Sequence, residues 1–192
     1  MNRPQLLSMT AAEMEEAVGG GFRARQIAEW VRKGADFAEM TNLPKEERFI
    51  ANPVTIREAL VQGETEKYLY ALPDGNVIEG VKLKYHYGSS LCVSTQVGCA
   101  MGCAFCASTL EGCVRNLTSG EMLGQIVAVN RRLQGAGERL KNAVLMSRWP
   151  IMKTPSSSCV YCGNTACPCA GFRFPLAGSR SACARWRRRI CR

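Results

Sequence analysis

The 192-residue sequence lacks any uninterrupted run of about 18 apolar residues, the length that a membrane-spanning helix needs. Its first residues, MNRPQLLSMTAAEMEE, also lack the apolar core of a secretory signal. These absences predict a soluble, cytoplasmic chain without membrane contact. In a reducing cytoplasm, its eleven cysteines are more typical of metal ligands or catalytic thiols than of disulfides.

Acidic residues are missing from one part of the chain. Residues 147–192 contain none, yet they hold nine of the 25 basic residues and six of the eleven cysteines. Residues 1–146 contain 16 basic and 16 acidic residues, so the formal net charge of +9 comes entirely from the tail. A basic excess by itself indicates nucleic-acid binding. Its confinement to the tail indicates that the chain changes character near Met146.

The N-terminal part predicts a small helical domain. A capping-box signature at Thr10 and Glu13 begins a first helix over 11–18, which a glycine triplet ends. A second helix is predicted over 24–33, and Pro44 is a candidate start for a third.

Strands follow the helices. A hairpin is predicted with strands over 66–72 and 77–85, joined by a turn at Pro73 and Gly75. A further apolar run over 89–97, a helix that begins with a capping box, and a short strand over 142–146 predict a βαβ unit. Chemistry in parallel α/β folds lies at the carboxyl ends of the strands, and a cysteine-rich loop follows the apolar run there.

That loop, QVGCAMGCAFCAS, carries Cys99, Cys103 and Cys106 with C-x3-C-x2-C spacing. A structural zinc site usually has four ligands in paired knuckles, and no second pair occurs between Cys106 and Met146. A 4Fe-4S cluster also needs four ligands, so three thiolates would leave one iron open to a substrate or cofactor. Gly98 and Gly102 permit the backbone conformations that a loop wrapped around a cluster requires.

This triplet resembles the signature of the radical S-adenosylmethionine (SAM) superfamily. The flanking segments GFRARQIAEWV, FAEMTNLPK, LCVSTQVGCAMGCAFCAS and VRNLTSGEMLGQI are similar to the RlmN branch, in order, over about residues 5–146. The resemblance implies an enzyme that methylates carbon 2 of adenosine in 23S rRNA and tRNA. It implies as cofactors a 4Fe-4S cluster and SAM, and as partners 23S rRNA, tRNA and an electron donor to the cluster, with the protein a monomer.

Site residues follow from the resemblance. Cys99, Cys103 and Cys106 match the cluster ligands, and Phe105 matches the aromatic residue beside the cluster. Cys92 matches the resolving cysteine. In the family it releases the product by forming a transient disulfide with a second cysteine, near the C-terminus, that SAM has methylated and that carries the methyl group to the adenine.

Glu79 lies on one face of the second hairpin strand together with Val77, Val81 and Leu83. Spacing alone favours a structural role for this carboxylate, at a sheet edge or with a partner across the sheet. The resemblance instead implies that Glu79 is the proton acceptor of the reaction, and this interpretation replaces the first.

The implied fold is α/β, with an N-terminal helical domain and a radical SAM partial (β/α) barrel that has six βα units in the family. The chain is expected to contain only its start, truncated after the second strand. The predicted divisions are a helical, RNA-contacting domain over 1–60, a β-hairpin linker over 61–88, a radical SAM core fragment over 89–146, and an aberrant, disordered tail over 147–192.

After Met146 the resemblance stops. The family continues with a Gly-Met-Gly-Glu-Pro stretch, which is replaced here by SRWPIMKTP. A permitted choice of codons for residues 147–155 and 173–181, translated in one shifted frame, gives family-like runs. A frameshift therefore explains the tail, and the chain is expected to be inactive by itself. The alternative is a non-enzymatic protein whose tail is authentic, with a zinc knuckle beginning at CVYC and an RNA-binding RWRRR segment.

Overall fold

The structure, a computed structural model, describes residues 3–41, 48–104 and 106–146. The helix start predicted at Pro44, the disorder predicted for the tail, and Phe105 all lie outside these residues. Within the described ranges, no helix combines the length and the apolar character needed to cross a bilayer.

Two helices follow a 3₁₀ turn at Leu6–Ser8. Helix α1 spans Ala11–Val18, and its predicted capping box is formed by reciprocal hydrogen bonds between Thr10 and Glu13. Helix α2 spans Gly21–Arg32 and begins three residues earlier than predicted, because Gly20 adopts a φ of 147° and can start it. The apolar faces of these elements form a common core that includes Leu6, Met14, Val18, Ile27 and Val31.

In the described residues, seven strands form two sheets. The larger has the order β1-β2-β3-β4-β7 and the smaller pairs β5 with β6. The strands span Thr55–Gln62 (β1), Thr65–Ala71 (β2), Val77–Tyr85 (β3), Gly88–Ser94 (β4), Gln96–Gly98 (β5), Cys113–Asn116 (β6) and Leu140–Met146 (β7). The predicted hairpin corresponds to β2 and β3, whereas β1 and β6 were not predicted. The apolar run over 89–97 is divided at Thr95 into β4 and β5.

The βαβ unit is confirmed. Strands β4 and β7 pair in parallel, and helix α3, Ser119–Gln134, lies between them in the chain. Its capping box is formed as predicted, since Thr118 and Glu121 exchange side-chain-to-amide hydrogen bonds. The mixed α/β class predicted from the sequence is therefore correct for the described residues.

The larger sheet has two unlike faces. One packs against α3 and forms the main core, which includes Tyr68, Tyr70, Ile78, Leu91, Val93, Val129 and Leu133. The other face, here called the open face, carries no helix among the described residues. On this face, directly opposite residues on successive strands form a row that consists of Lys67 (β2), Val81 (β3), Cys92 (β4) and Val144 (β7). Side chains on this face are partly exposed, and Val144 is 50% exposed.

The N-terminal helices pack against the outer side of α3. Val127 of α3 belongs to their core, and Arg131 donates hydrogen bonds to the Gly34 carbonyl and to the Glu39 carboxylate. The sheet itself begins at Thr55 and includes the hairpin strands. The domain boundaries predicted at residues 60 and 88 therefore stay predictions.

Candidate functional site

The three clustered cysteines lie in a loop, here called the cysteine loop, that spans residues 99–112 and joins β5 to β6. The loop is closed at its base, because Gly98 pairs with Cys113 and the Cys99 amide donates to the Gly112 carbonyl at 2.9 Å. It follows the carboxyl end of β4, as predicted. The Thr95 hydroxyl ties this end to β7 by donating to the Met146 carbonyl at 2.6 Å.

Glycines make the closed base possible. Gly98 and Gly102 have φ values of 70° and 66°, in the region that favours glycine, which agrees with the role predicted for them. At Gly98 space is also limiting, since a Cβ atom would lie 2.0 Å from the Gly112 carbonyl oxygen. Only glycine therefore fits between the two strands at this point.

The cysteine loop has short-range hydrogen bonds of its own. The Cys106 amide donates to the Cys103 carbonyl at 3.1 Å, and the Thr109 hydroxyl donates to the Cys106 carbonyl at 2.8 Å. A 3₁₀ turn at Ala107–Thr109 follows the last cysteine of the triplet. These bonds define a turn around Cys103 and Cys106.

The thiols of Cys99, Cys103 and Cys106 are free and partly exposed, and so is that of Cys113 at the loop base. Their number and chemistry suit a metal centre, since thiolates bind iron and zinc. Among the described residues, however, no group of three cysteine, histidine or acidic side chains is gathered closely enough to hold an ion. The donor set therefore fits a cluster by type and by its place on one closed loop, without being preassembled.

Glu79 lies on the open face of β3. Its carboxylate Oε1 is 2.8 Å from Lys67 Nζ on the neighbouring strand, in an ion pair with side-chain exposures of 53% and 42%. The buried side chains of this strand lie on the other face, at Ile78 and Lys82. Glu79 thus has the partner across the sheet that its residue pattern indicated, and it is accessible to solvent.

Cys92 lies on the same open face, directly opposite Val81 on β3 and Val144 on β7. Burial raises the pKa of its thiol above the ordinary value. The thiol is therefore protonated near neutral pH.

The structure brings Glu79 and Cys92 together but does not place them in contact. They are on adjacent strands, and diagonal neighbours on one sheet face have Cβ atoms about 7–8 Å apart. The Ser94 hydroxyl, at the end of β4, donates to the Glu79 carbonyl at 2.6 Å. Because β4 leads into the cysteine loop, both residues lie beside the approach to the triplet.

Sequence reasoning missed the role of two polar residues that bind the flanks of the cysteine loop. Gln125 and Glu121 of α3 are 0% and 2% exposed, and they bind Ser94 and Arg115 respectively. Glu121 was predicted only as a helix cap. The sequence did contain a signal for their burial. Glu121 and Gln125 lie one turn apart on the helix face that also buries Ile126 and Val129.

Curated relatives named "Probable dual-specificity RNA methyltransferase RlmN" are similar to the chain. The protein from Alkaliphilus oremlandii is 48% identical over 76% of this chain and 46% of its own length. That from Clostridium acetobutylicum is 47% identical over 65% of this chain and 38% of its own length. The chain thus spans less than half the length of these relatives. No protein-family profile matches the chain.

A solved structure is also similar. The crystal structure of a radical SAM methyltransferase from Sphaerobacter thermophilus matches with a TM-score of 0.67 and 42% sequence identity. The match covers 73% of this chain and 45% of that protein. The described fold therefore corresponds to less than half of that structure.

Proposed function

We propose, on the premise that the chain is a homologue of the RlmN-type radical SAM methyltransferases, that residues 3–146 are part of an enzyme that methylates carbon 2 of adenosine in 23S rRNA and tRNA. The observation that carries the proposal is the closed loop at the carboxyl end of β4 with its three free thiols. Glu79 and Cys92 on the adjacent open face support it.

Cys99, Cys103 and Cys106 would hold a 4Fe-4S cluster, and SAM would complete its coordination. When bound, these groups supply the one-electron chemistry that an unreactive carbon–hydrogen bond requires. The free and partly exposed thiols can be drawn together when the cluster binds, since the loop is fixed at its base and bonded only locally above it. Phe105, between the last two ligands in the sequence, would pack beside the cluster.

Glu79 would accept the proton that leaves carbon 2 of the adenine ring. Its exposed carboxylate is available to a substrate on the open face, and the Ser94 hydroxyl fixes the backbone of β3 there. To take a proton, the carboxylate must release Lys67, which is itself 42% exposed and free to turn toward solvent or RNA phosphate.

Cys92 would resolve the enzyme–product adduct. Its raised pKa keeps the sulfur protonated and weakly reactive until the adduct forms. The apolar row of Val81 and Val144 around it limits contact with water. In this step the Cys92 proton would pass to a base as the Cys92 sulfur bonds to the sulfur of the methyl-carrying cysteine. That sulfur would give up its bond to the methyl carbon of the product, and the carbon would keep the electron pair and take up a proton.

The cellular setting follows from this role. The proposed partners are 23S rRNA, tRNA and a protein that donates electrons to the cluster, and the proposed compartment is the cytoplasm. The helical module formed by α1 and α2 would contact RNA from the outer side of α3, against which it packs.

Metal analysis tests the proposal. After anaerobic reconstitution with iron and sulfide, we expect the 192-residue protein to bind a labile cluster. Alanine at Cys99, Cys103 or Cys106 should lower bound iron at least about tenfold, because each removes a ligand. Cys113→Ala is the matched control, since this free, half-buried thiol lies at the base of the same loop. Iron retained in Cys99→Ala, or zinc bound by the tail cysteines in place of iron, would contradict the proposal.

Methyl transfer is a separate question. No cysteine after Met146 lies in the Cys-Gly-Gln-Leu-like context of the family's methyl carrier, and the Gly-Met-Gly-Glu-Pro stretch has no counterpart. We therefore expect these 192 residues to form no C2-methyladenosine when SAM, reductant and RNA are supplied. A chain whose reading frame is shifted back after Met146 should form it. Mass spectrometry of the digested RNA measures the product, and methylation by the 192-residue protein would refute the frameshift hypothesis.

A further inference from the structure

Two polar side chains are buried where α3 packs against the sheet. Gln125 is 0% exposed and Glu121 is 2% exposed. Burying an amide or a carboxylate is costly unless its hydrogen bonds are satisfied. Their partners therefore show what these residues hold in place.

Gln125 binds the flank that leads into the cysteine loop. Its Oε1 accepts from the Ser94 amide at 3.0 Å, and its Nε2 donates to the Ser94 carbonyl at 2.9 Å. A second bond from Nε2, to the Glu121 carbonyl at 3.3 Å, fixes the orientation of the amide. One side chain thus binds both main-chain groups of the last residue of β4, two residues before β5 begins.

Glu121 binds the opposite flank, the strand β6 that follows the cysteine loop. Its two carboxylate oxygens accept from Nη1 and Nη2 of Arg115, both at 2.8 Å, which is the bidentate geometry that gives strong and directional ion pairs. Arg115 lies on β6, which leaves the cysteine loop, and its Nε donates to Asp74 at 2.7 Å. The Asp74 contact links this flank to the turn between β2 and β3.

We propose that Gln125 and Glu121 are positioning residues that hold the two flanks of the cysteine loop at a fixed separation on α3. Through the Ser94 hydroxyl and the Glu79 carbonyl, the same anchor sets the place of Glu79 relative to the loop. This role rests on the proposed function for its significance, because fixed flanks let three thiols close on a cluster. The anchoring itself is a property of the metal-free chain.

Hydrogen exchange on the metal-free 192-residue chain tests the anchoring. Gln125→Met keeps the volume of the side chain and removes its bonds to Ser94. We expect exchange of the amides over residues 94–99 to accelerate at least about tenfold, because their local opening loses a stabilising contact. The matched control is Asn130→Leu on the same helix, which removes the bond from the Leu140 amide to Asn130 Oδ1 (2.9 Å). It should accelerate exchange at the start of β7 and leave 94–99 unchanged.

A second variant keeps the test decisive if Gln125→Met does not fold. Arg115→Lys retains the charge of a side chain that is 31% exposed but cannot form the bidentate contact. It should accelerate exchange over residues 113–116 and leave the β1–β2 hairpin unchanged. Equal exchange at the loop flanks in the wild type and in the variant that folds would overturn the anchoring.

Iron binding separates this inference from the proposed function. If the wild type binds a cluster, Gln125→Met should lose iron at least about tenfold faster to a chelator than Asn130→Leu does, as expected when a supporting contact is removed. Equal loss from the two variants would overturn the positioning role. If the wild type binds no iron, the proposed function fails, and the exchange pattern alone decides whether α3 anchors the loop.

Discussion

Replacing Lys82 by methionine is expected to lower the free energy of unfolding by about 3 kcal/mol at pH 7, the low end of the cost of breaking a buried ion pair. Lys82 and Glu66 are directly opposite on β3 and β2, on the face under α3, and their side chains are 7% and 16% exposed. The Lys82 ammonium binds Glu66 Oε1. Without it, the Glu66 carboxylate keeps the Tyr68 hydroxyl at 2.6 Å and the Arg132 guanidinium at 3.8 Å.

The free energy of unfolding that Lys82→Met loses should depend on pH. Burial raises the pKa of Glu66, but the hydrogen bonds from Lys82 and Tyr68 outweigh it and bring the pKa below its ordinary value of 4.5. A carboxyl whose pKa is lower when folded stabilises fully above its unfolded pKa, and this stabilisation is lost as pH falls through the folded value. In Lys82→Met the lowering effect of Lys82 is lost, so the folded pKa of Glu66 lies higher than in the wild type, and less stabilisation is left to be lost as pH falls. The difference between the two proteins should therefore narrow as pH falls below about 4.5.

A matched control exists on the opposite face of the same strands. Lys67 and Glu79 also form an ion pair, but their side chains are 42% and 53% exposed. Lys67→Met should cost about 0.5 kcal/mol or less, as exposed pairs do. Urea denaturation at pH 7 and pH 4 measures both variants. If Lys82→Met and Lys67→Met lowered the free energy of unfolding equally, the buried ion pair would contribute no more to stability than the exposed one.

Local signals in the sequence were sufficient for most elements of the fold. Capping boxes located the starts of α1 and α3, and the turn residues Pro73 and Gly75 located the hairpin. Strand β1 was missed for a physical reason. It lies at the edge of the sheet with nearly all residues exposed or half-exposed, and an irregularity between Ile56 and Glu58 interrupts the alternation that predicts a strand.

The candidate site was predictable only in part. The cysteine triplet is visible from its spacing, whereas the role of Glu79 came from family resemblance and is a proposal still. Its residue pattern pointed instead to a partner across the sheet, and the structure provides one in Lys67. The contact between Gln125 and Ser94 joins residues 31 positions apart, and no local pattern encodes it. Such contacts depend on how α3 packs on the sheet.

Substitution of Gly98 by alanine is expected to lower the affinity for iron about 100-fold, comparable to the larger effects of disturbing the support of a metal site. The new Cβ would lie 2.0 Å from the Gly112 carbonyl oxygen. That carbonyl accepts the Cys99 amide hydrogen bond, and Gly98 pairs with Cys113. Relief of the clash must separate β5 from β6 and open the base from which Cys99 projects.

Gly102→Ala separates this steric effect from backbone strain. Both glycines have a positive φ, 70° at Gly98 and 66° at Gly102, so alanine costs about 1–2 kcal/mol of strain at either position. At Gly102, however, a Cβ atom would meet nothing within 4 Å. Iron titration under anaerobic conditions should therefore show a loss of about tenfold for Gly102→Ala, the equivalent of its strain energy. If both variants lost affinity equally, strain in the turn would control the site, and the closed base of the loop would not be required for the three thiols to bind iron.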